Sequence, residues 1–123
     1  MATQTVAKLE ARSHDSPDET RTPAKTKVEV VKLGDVTVGR LTFEPGWAWS
    51  ECIKPVAGTE HCEATHISYA VAGELEVWMV TDDRTRIRAG DSYTIPPGHD
   101  AKVVGEEPFV GIEWSSAATY ATK

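Results

Sequence analysis

Two cysteines and four histidines are the residues of this 123-residue chain best suited to bind a metal ion, and three of them fall in one short run. Residues 58–73, GTEHCEATHISYAVAG, carry His61, Cys62 and His66, and residues 90–100, GDSYTIPPGHD, add His99. Between the two runs lies the alternating segment ELEVWMV. Imidazole nitrogen and thiolate sulfur together suit a divalent transition ion such as Zn, Fe, Ni or Cu. Cys62, His66 and His99 form the best ligand set, with Cys52 or His61 available as a fourth donor. Cys62 and His66 share one face of an extended segment, whereas His61 points the other way. The competing reading makes His66 and His99 hydrogen-bonded structural residues of a protein that holds no metal.

Other side chains qualify as walls or as acid–base groups. Trp47 and Trp49, two residues apart, are core if they pack sheet on sheet, or an aromatic wall for a small organic ligand, since such pockets are mostly apolar. Tyr69 offers a phenol to the same pocket, although parity from His66 puts it on the opposite face. Glu51 and Lys54 are the candidate catalytic acid and base, provided that they are buried. Asp100 is placed to orient His99 only if the chain turns there. Arg84, Arg86 and Arg88 read as the solvated face of a hairpin strand. No Ser-His-Asp pattern with supporting context and no phosphate-cradling glycine loop occurs.

The elements that must position these groups read as strands. Residues 1–26 are polar, broken by Ser16-Pro17 and Thr22-Pro23, and show no sustained period. They read as an arm, partly disordered or laid as a strand on a sheet or partner, and His14 within it as merely solvated. Residues 27–123 form the folded domain. KVEVVKL and VTVGRLTFE alternate and are rich in β-branched residues, with Gly39 as a bulge or close-approach point. WAWSECI reads as a further strand with Trp47, Trp49 and Glu51 on one face. THISYAVAGELEVWMV is a strand pair, followed by RTRIRAG, SYTIP, AKVVG and PFVGIEW. Eight or so short strands with frequent turns, and no convincing amphipathic helix, predict an all-β sandwich or barrel.

Composition narrows the class. A formal net charge of −6 argues against nucleic acid or an anionic membrane as partner. No apolar run reaches the ~20 residues that span a bilayer, and the first residues lack a secretory pattern, so a cytoplasmic setting is expected. Cys52 and Cys62 are then expected to stay reduced.

Over residues 36–114 the chain resembles the cupin superfamily, in particular the small single-domain bacterial cupins. Gly90, Pro96 and Gly98 match the second cupin motif at its spacing, and Gly73 matches the glycine that closes the first. The resemblance implies a double-stranded β-helix, or jelly-roll-like barrel, that commonly pairs into homodimers. The usual three-His-one-Glu metal site is not reproduced. His66 stands where most cupins have Glu, Cys62 or His61 where a His of the first motif falls, and Ala101 where the last His falls, two residues beyond His99. The functional expectation is a metal-dependent enzyme of the oxygenase, isomerase or lyase type acting on a small organic molecule. The alternative is a non-catalytic small-molecule sensor that has lost its metal.

Overall fold

Alternating apolar residues build the architecture. In a computed structural model, which describes residues 6–114 and 117–122, the described residues form nine strands and two four-residue helices. The strands are β1 (Glu19–Arg21), β2 (Thr26–Leu33), β3 (Val36–Phe43), β4 (His66–Ala72), β5 (Glu74–Met79), β6 (Arg84–Arg88), β7 (Ser92–Ile95), β8 (His99–Val103) and β9 (Phe109–Glu113). Helices α1 (Trp49–Cys52) and α2 (Lys54–Ala57) lie between β3 and β4. A six-stranded sheet runs β1-β2-β3-β9-β4-β7, and a three-stranded sheet runs β6-β5-β8. Every pairing is antiparallel. The protein is all-β, as its alternation predicts.

The inner faces supply the core: Val28, Val30, Leu41, Phe43, Ala70 and Phe109 from the larger sheet, and Leu75, Val77, Ile87, Ala101 and Val103 from the smaller. Removing each larger side chain from water contributes ~1.5–3 kcal/mol. The β4–β5 turn depends on Gly73, whose φ is +80° and whose missing Cβ would lie 2.3 Å from the Pro108 carbonyl oxygen. Gly39 is a close-approach point: a Cβ there would stand 3.1 Å from the Ala117 Cβ, so the glycine admits residues 117–122 against β3.

The WAWSECI segment does not form a strand. Ala48 is extended, but the chain coils at Trp49 into α1, and α2 follows with Pro55 in its first turn, where a missing N–H costs nothing. Trp49, Cys52 and Ile53 are buried, a spacing of three and four that marks one helical face and outweighs the apparent alternation. Trp47, Trp49 and Glu51 therefore do not share a strand face, and Glu51 is exposed.

The segment before β2 lies on the larger sheet. β1 pairs with β2, Asp18 accepts from Arg12 at 2.6 Å, and Arg40 donates to both Glu29 (2.9 Å) and Asp15 (2.8 Å). His14 is not simply solvated, since its Nδ1 lies 3.1 Å from the Glu29 carbonyl oxygen. These contacts cover the outer face of β2, where Glu29 and Val31 are buried. Deleting residues 1–21 should leave a folded β protein that is less stable by at least ~1.5 kcal/mol, the lower value for re-exposing a side chain such as Val31. Denaturant melts of the full and shortened chains check this, and an unchanged midpoint would refute it.

Candidate metal centre

His66 opens β4 in one sheet, His99 opens β8 in the other, and Cys62 lies in the loop before β4. Inward parity places both histidines between the sheets, where they are 6% and 2% exposed. Cys62 is drawn to them by backbone pairing. Its N–H donates to the His99 carbonyl at 2.8 Å, and its own carbonyl accepts from Gly98 N–H at 2.8 Å. One sheet, the other sheet and a stitched loop thus each supply one donor.

The donor atoms of Cys62, His66 and His99 all lie within 4.8 Å of one another. Cys62 Sγ is 3.8 Å from His66 Nε2, and the two imidazole centroids are 5.1 Å apart. A tetrahedral zinc holds its nitrogen and sulfur donors roughly 3.5 Å apart, given Zn–N near 2.0 Å and Zn–S near 2.3 Å. Both Nδ1 atoms are already engaged. His66 Nδ1 lies 2.7 Å from Glu113 Oε1, and His99 Nδ1 lies 2.7 Å from the Pro96 carbonyl oxygen. A carbonyl can only accept, so His99 carries a proton on Nδ1, and in the neutral ring Nε2 keeps the lone pair that could ligate an ion. Outer partners of this kind orient metal-binding histidines. The residues present therefore fit a divalent ion with three protein donors.

Glu113 escaped the sequence reading. It is fully buried on β9, accepts from Ser68 Oγ at 2.6 Å and receives the Ile67 N–H at 3.3 Å. The signal for it was parity: Phe109, Gly111 and Glu113 share the inward face of PFVGIEW, and a carboxylate there needs buried partners.

Electrostatics within the cluster favour a charge-separated pair when no metal is bound. Burial pushes the Cys62 thiol up, but hydrogen bonds with His66 and His99 outweigh it and bring the thiol down to about 6. Burial pushes the His66 imidazolium down, but its bonds to Cys62 and Glu113 outweigh that and raise it to about 9. Both shifts favour a thiolate at Cys62 and an imidazolium at His66, which Glu113 contacts from the other side.

A cavity of about 20 Å³ adjoins the cluster, lined on its apolar side by Phe43, Trp47, Trp49, Tyr93 and Tyr120. Trp47 is anchored by its Nε1–H to Thr26 Oγ1 at 2.9 Å and stacks on Phe43 at 3.9 Å. Among the buried side-chain atoms described, Trp49 Nε1 has no hydrogen-bond partner.

The remaining sequence candidates lie elsewhere. Tyr69 faces outward at 40% exposure, and Tyr93 and Tyr120 take the place foreseen for it. Lys54 pairs with exposed Glu60 at 3.1 Å, and neither it nor Glu51 borders the cavity. Asp100 accepts from Ser50 and Ala101 N–H rather than orienting His99. Cys52 is buried in the core but outside the donor cluster, and half-buried His61 also lies outside it.

A profile of the Cupin domain matches residues 39–114. The chain belongs to the cupin family. Solved structures agree on the cupin fold. A Rhizobium leguminosarum protein of unknown function superposes with a TM-score of 0.65 at 18% identity, covering 89% of this chain and 97% of that one. A Klebsiella pneumoniae protein with a double-stranded β-helix domain gives 0.58 at 19%, covering 98% and 94%. The oxalate decarboxylase of Lactobacillus farciminis, in a formate complex, gives 0.59 at 19% over 83% of this chain, which spans only 32% of that enzyme. Among curated protein sequences none matches this cupin. No helix among its described residues is long and apolar enough to cross a membrane.

The thiolate–imidazolium pair has a spectroscopic signature. In metal-free protein, thiolate absorbance near 240 nm should rise through pH ~6 rather than the ordinary ~8.5. The stability given by Cys62 is lost as pH falls through about 6, and that given by His66 is lost as pH rises through about 9. Between pH ~6.5 and ~9 the two slopes cancel, because folding moves a proton from sulfur to imidazole without changing the number bound. Stability should therefore stay flat across that window while the thiolate signal is already largely developed. His66→Ala should move the sulfur titration up by at least a unit, and an unmoved titration would show that His66 does not hold the thiolate.

Proposed function

We propose that this cupin binds one divalent transition metal ion through Cys62 Sγ, His66 Nε2 and His99 Nε2, and uses it on a small organic molecule. The observation that carries this reading is the tautomer control: two buried imidazoles, each with Nδ1 engaged, whose donor atoms converge with the Cys62 thiol within 4.8 Å. When bound, the ion supplies Lewis-acid polarisation of a ligand oxygen at a position left open by the three protein donors. Glu113 holds His66 in orientation and offsets the charge of a dication. The Pro96 carbonyl does the orienting for His99. Phe43, Trp47 and Trp49 keep water away from the centre, which strengthens every electrostatic contact there. The reaction type that fits is an isomerase, lyase or oxygenase step. A thiolate in the set favours a softer ion such as zinc over magnesium.

A second reading, a metal-free sensor of small molecules, is supported by the Cys62–His66 ion pair, which satisfies both groups without an ion. Metal analysis separates the two. The proposed centre requires about one equivalent of zinc, iron, nickel or copper per chain. His66→Ala and His99→Ala should each lower affinity by at least the ~10–100-fold typical of a lost outer-shell partner, and Glu113→Gln by about that amount. Cys62→Ser should weaken zinc more than manganese, and His14→Ala should change nothing. Zinc binding at pH 7 should release about one proton, because the Cys62–His66 pair holds one between about 6 and 9. Equal metal content in wild type and the His66→Ala, His99→Ala double variant would leave the sensor reading.

The outer face of β4 and the chain just beyond β9 support a homodimer. Ile67 and Val71 are each 51% exposed, Trp114 is 49% exposed, and Trp114 N–H bonds the Ile67 carbonyl, so the residues adjoin. An antiparallel sheet that faces water usually alternates to polar residues on that face. Sedimentation should give a dimer for wild type and a monomer for Ile67→Glu, Val71→Glu. A wild-type monomer at micromolar concentration would refute it.

A further inference from the structure

The cavity beside the metal donors holds about 20 Å³, room for roughly one water and not for an organic ligand. One of its walls must therefore move for any such ligand to reach the donors. Nearly all lining residues sit on sheet strands or on α1, and Trp47 is tied to Thr26 and to Val103 N–H. Tyr120 differs. It belongs to residues 117–122, a run of turns outside both sheets. Its ring is nonetheless buried, edge-on to His66 at 5.3 Å and tilted against Phe43 at 6.3 Å.

One side chain latches that segment. Arg21 on β1 donates to the carbonyl oxygens of Ala117 (3.2 Å), Tyr120 (2.6 Å) and Ala118 (2.7 Å), and Glu19 holds the same guanidinium at 2.7 Å. On the outer side of Tyr120 lies a groove of about 280 Å³, and Trp49 and Tyr120 are the residues common to its lining and the cavity's. Withdrawing the Tyr120 ring would open the cavity towards that groove and free the ring's own volume beside it. The vacated place would keep an aromatic surround from Phe43 and His66, and Trp49, whose buried N–H lacks an acceptor, lines both the cavity and the groove.

We propose that the place of the Tyr120 ring is a ligand subsite for a phenol or similar aromatic ring bearing an oxygen acceptor, and that residues 117–122 leave it when that ligand binds. The inference rests on the reading of this pocket as the place where a small organic molecule binds. Tyr120 occupies the site as an internal competitor, and Arg21 sets how often it leaves. Apparent affinity is reduced by the fraction of molecules in the open state, so loosening the latch should tighten binding.

The probe is p-cresol, the tyrosine side chain itself, with 4-methylcyclohexanol as its saturated counterpart. Calorimetry is run on the full chain, metal-free and zinc-loaded, and hydrogen exchange is followed over residues 117–122. Arg21→Ala should bind p-cresol at least tenfold more tightly than wild type, Arg21→Lys should fall back towards wild type, and 4-methylcyclohexanol should bind at least tenfold more weakly. In wild type, saturating p-cresol should speed exchange in residues 117–122, a result that stands even if Arg21→Ala fails to fold. Equal affinity in wild type and Arg21→Ala, or slower exchange of that segment with ligand, would overturn the proposal. Zinc binding without any p-cresol binding ends this inference and leaves the metal reading. Cresol binding with release of the segment, in a protein that takes no metal, ends the metal reading and leaves this one.

Discussion

A carboxylate with no solvent exposure has to be surrounded by donors, and Glu113 is such a group at the centre of the barrel. Its oxygens are met by Ser68 Oγ, Ile67 N–H and His66 Nδ1, all on β4. The β4–β9 register, Ser68 opposite Glu113, places those groups where the carboxylate needs them. Slipping that register by one residue would turn Glu113 outward and strand His66. Strand pairing, imidazole orientation and the charge of the donor cluster are thus consequences of one buried interaction.

From that interaction the site extends outward in both chemical directions. Through His66 it reaches Cys62, whose thiol is held as thiolate by the imidazolium rather than by solvent. Through Ser68 it approaches Tyr93, whose phenol is pushed up mainly by burial and eased down in part by the Ser68 hydroxyl. His99 stands apart from this line. It is oriented by a carbonyl of its own turn, Pro96, so the two histidines are fixed independently and from opposite sheets. A cluster built in this way holds its donors in place by contacts of its own, the preorganisation that a metal site would require.

Much of the fold was legible because strands write a period of two. KVEVVKL, HISYAVA, ELEVWM and FVGIE all became strands, with Val28, Val30, Ala70, Leu75, Val77 and Phe109 turned into the core. Gly73, Gly90, Pro96 and Gly98 punctuate the chain, and all three glycines adopt the positive φ that L side chains avoid. WAWSECI misled because alternation over so few residues is shared by a strand and by a turn entering a helix. The decisive pattern was the 49, 52, 53 spacing, visible only once burial was known.

The sequence by itself determined the sheet-forming segments, the turns and the donor types, because side-chain alternation, glycine and proline act through local backbone geometry. It also singled out Cys62, His66 and His99, since few residues carry those donors. Only the tertiary structure decided that these three converge while Cys52 and His61 do not, because convergence depends on pairing across two sheets and on the loop stitched to β8. It alone brought Glu113 behind His66 from 47 positions away, and set Tyr120 over the cavity under the grip of Arg21. Long-range contacts of this kind leave no period in the chain, because they follow from which faces meet when the sheets close.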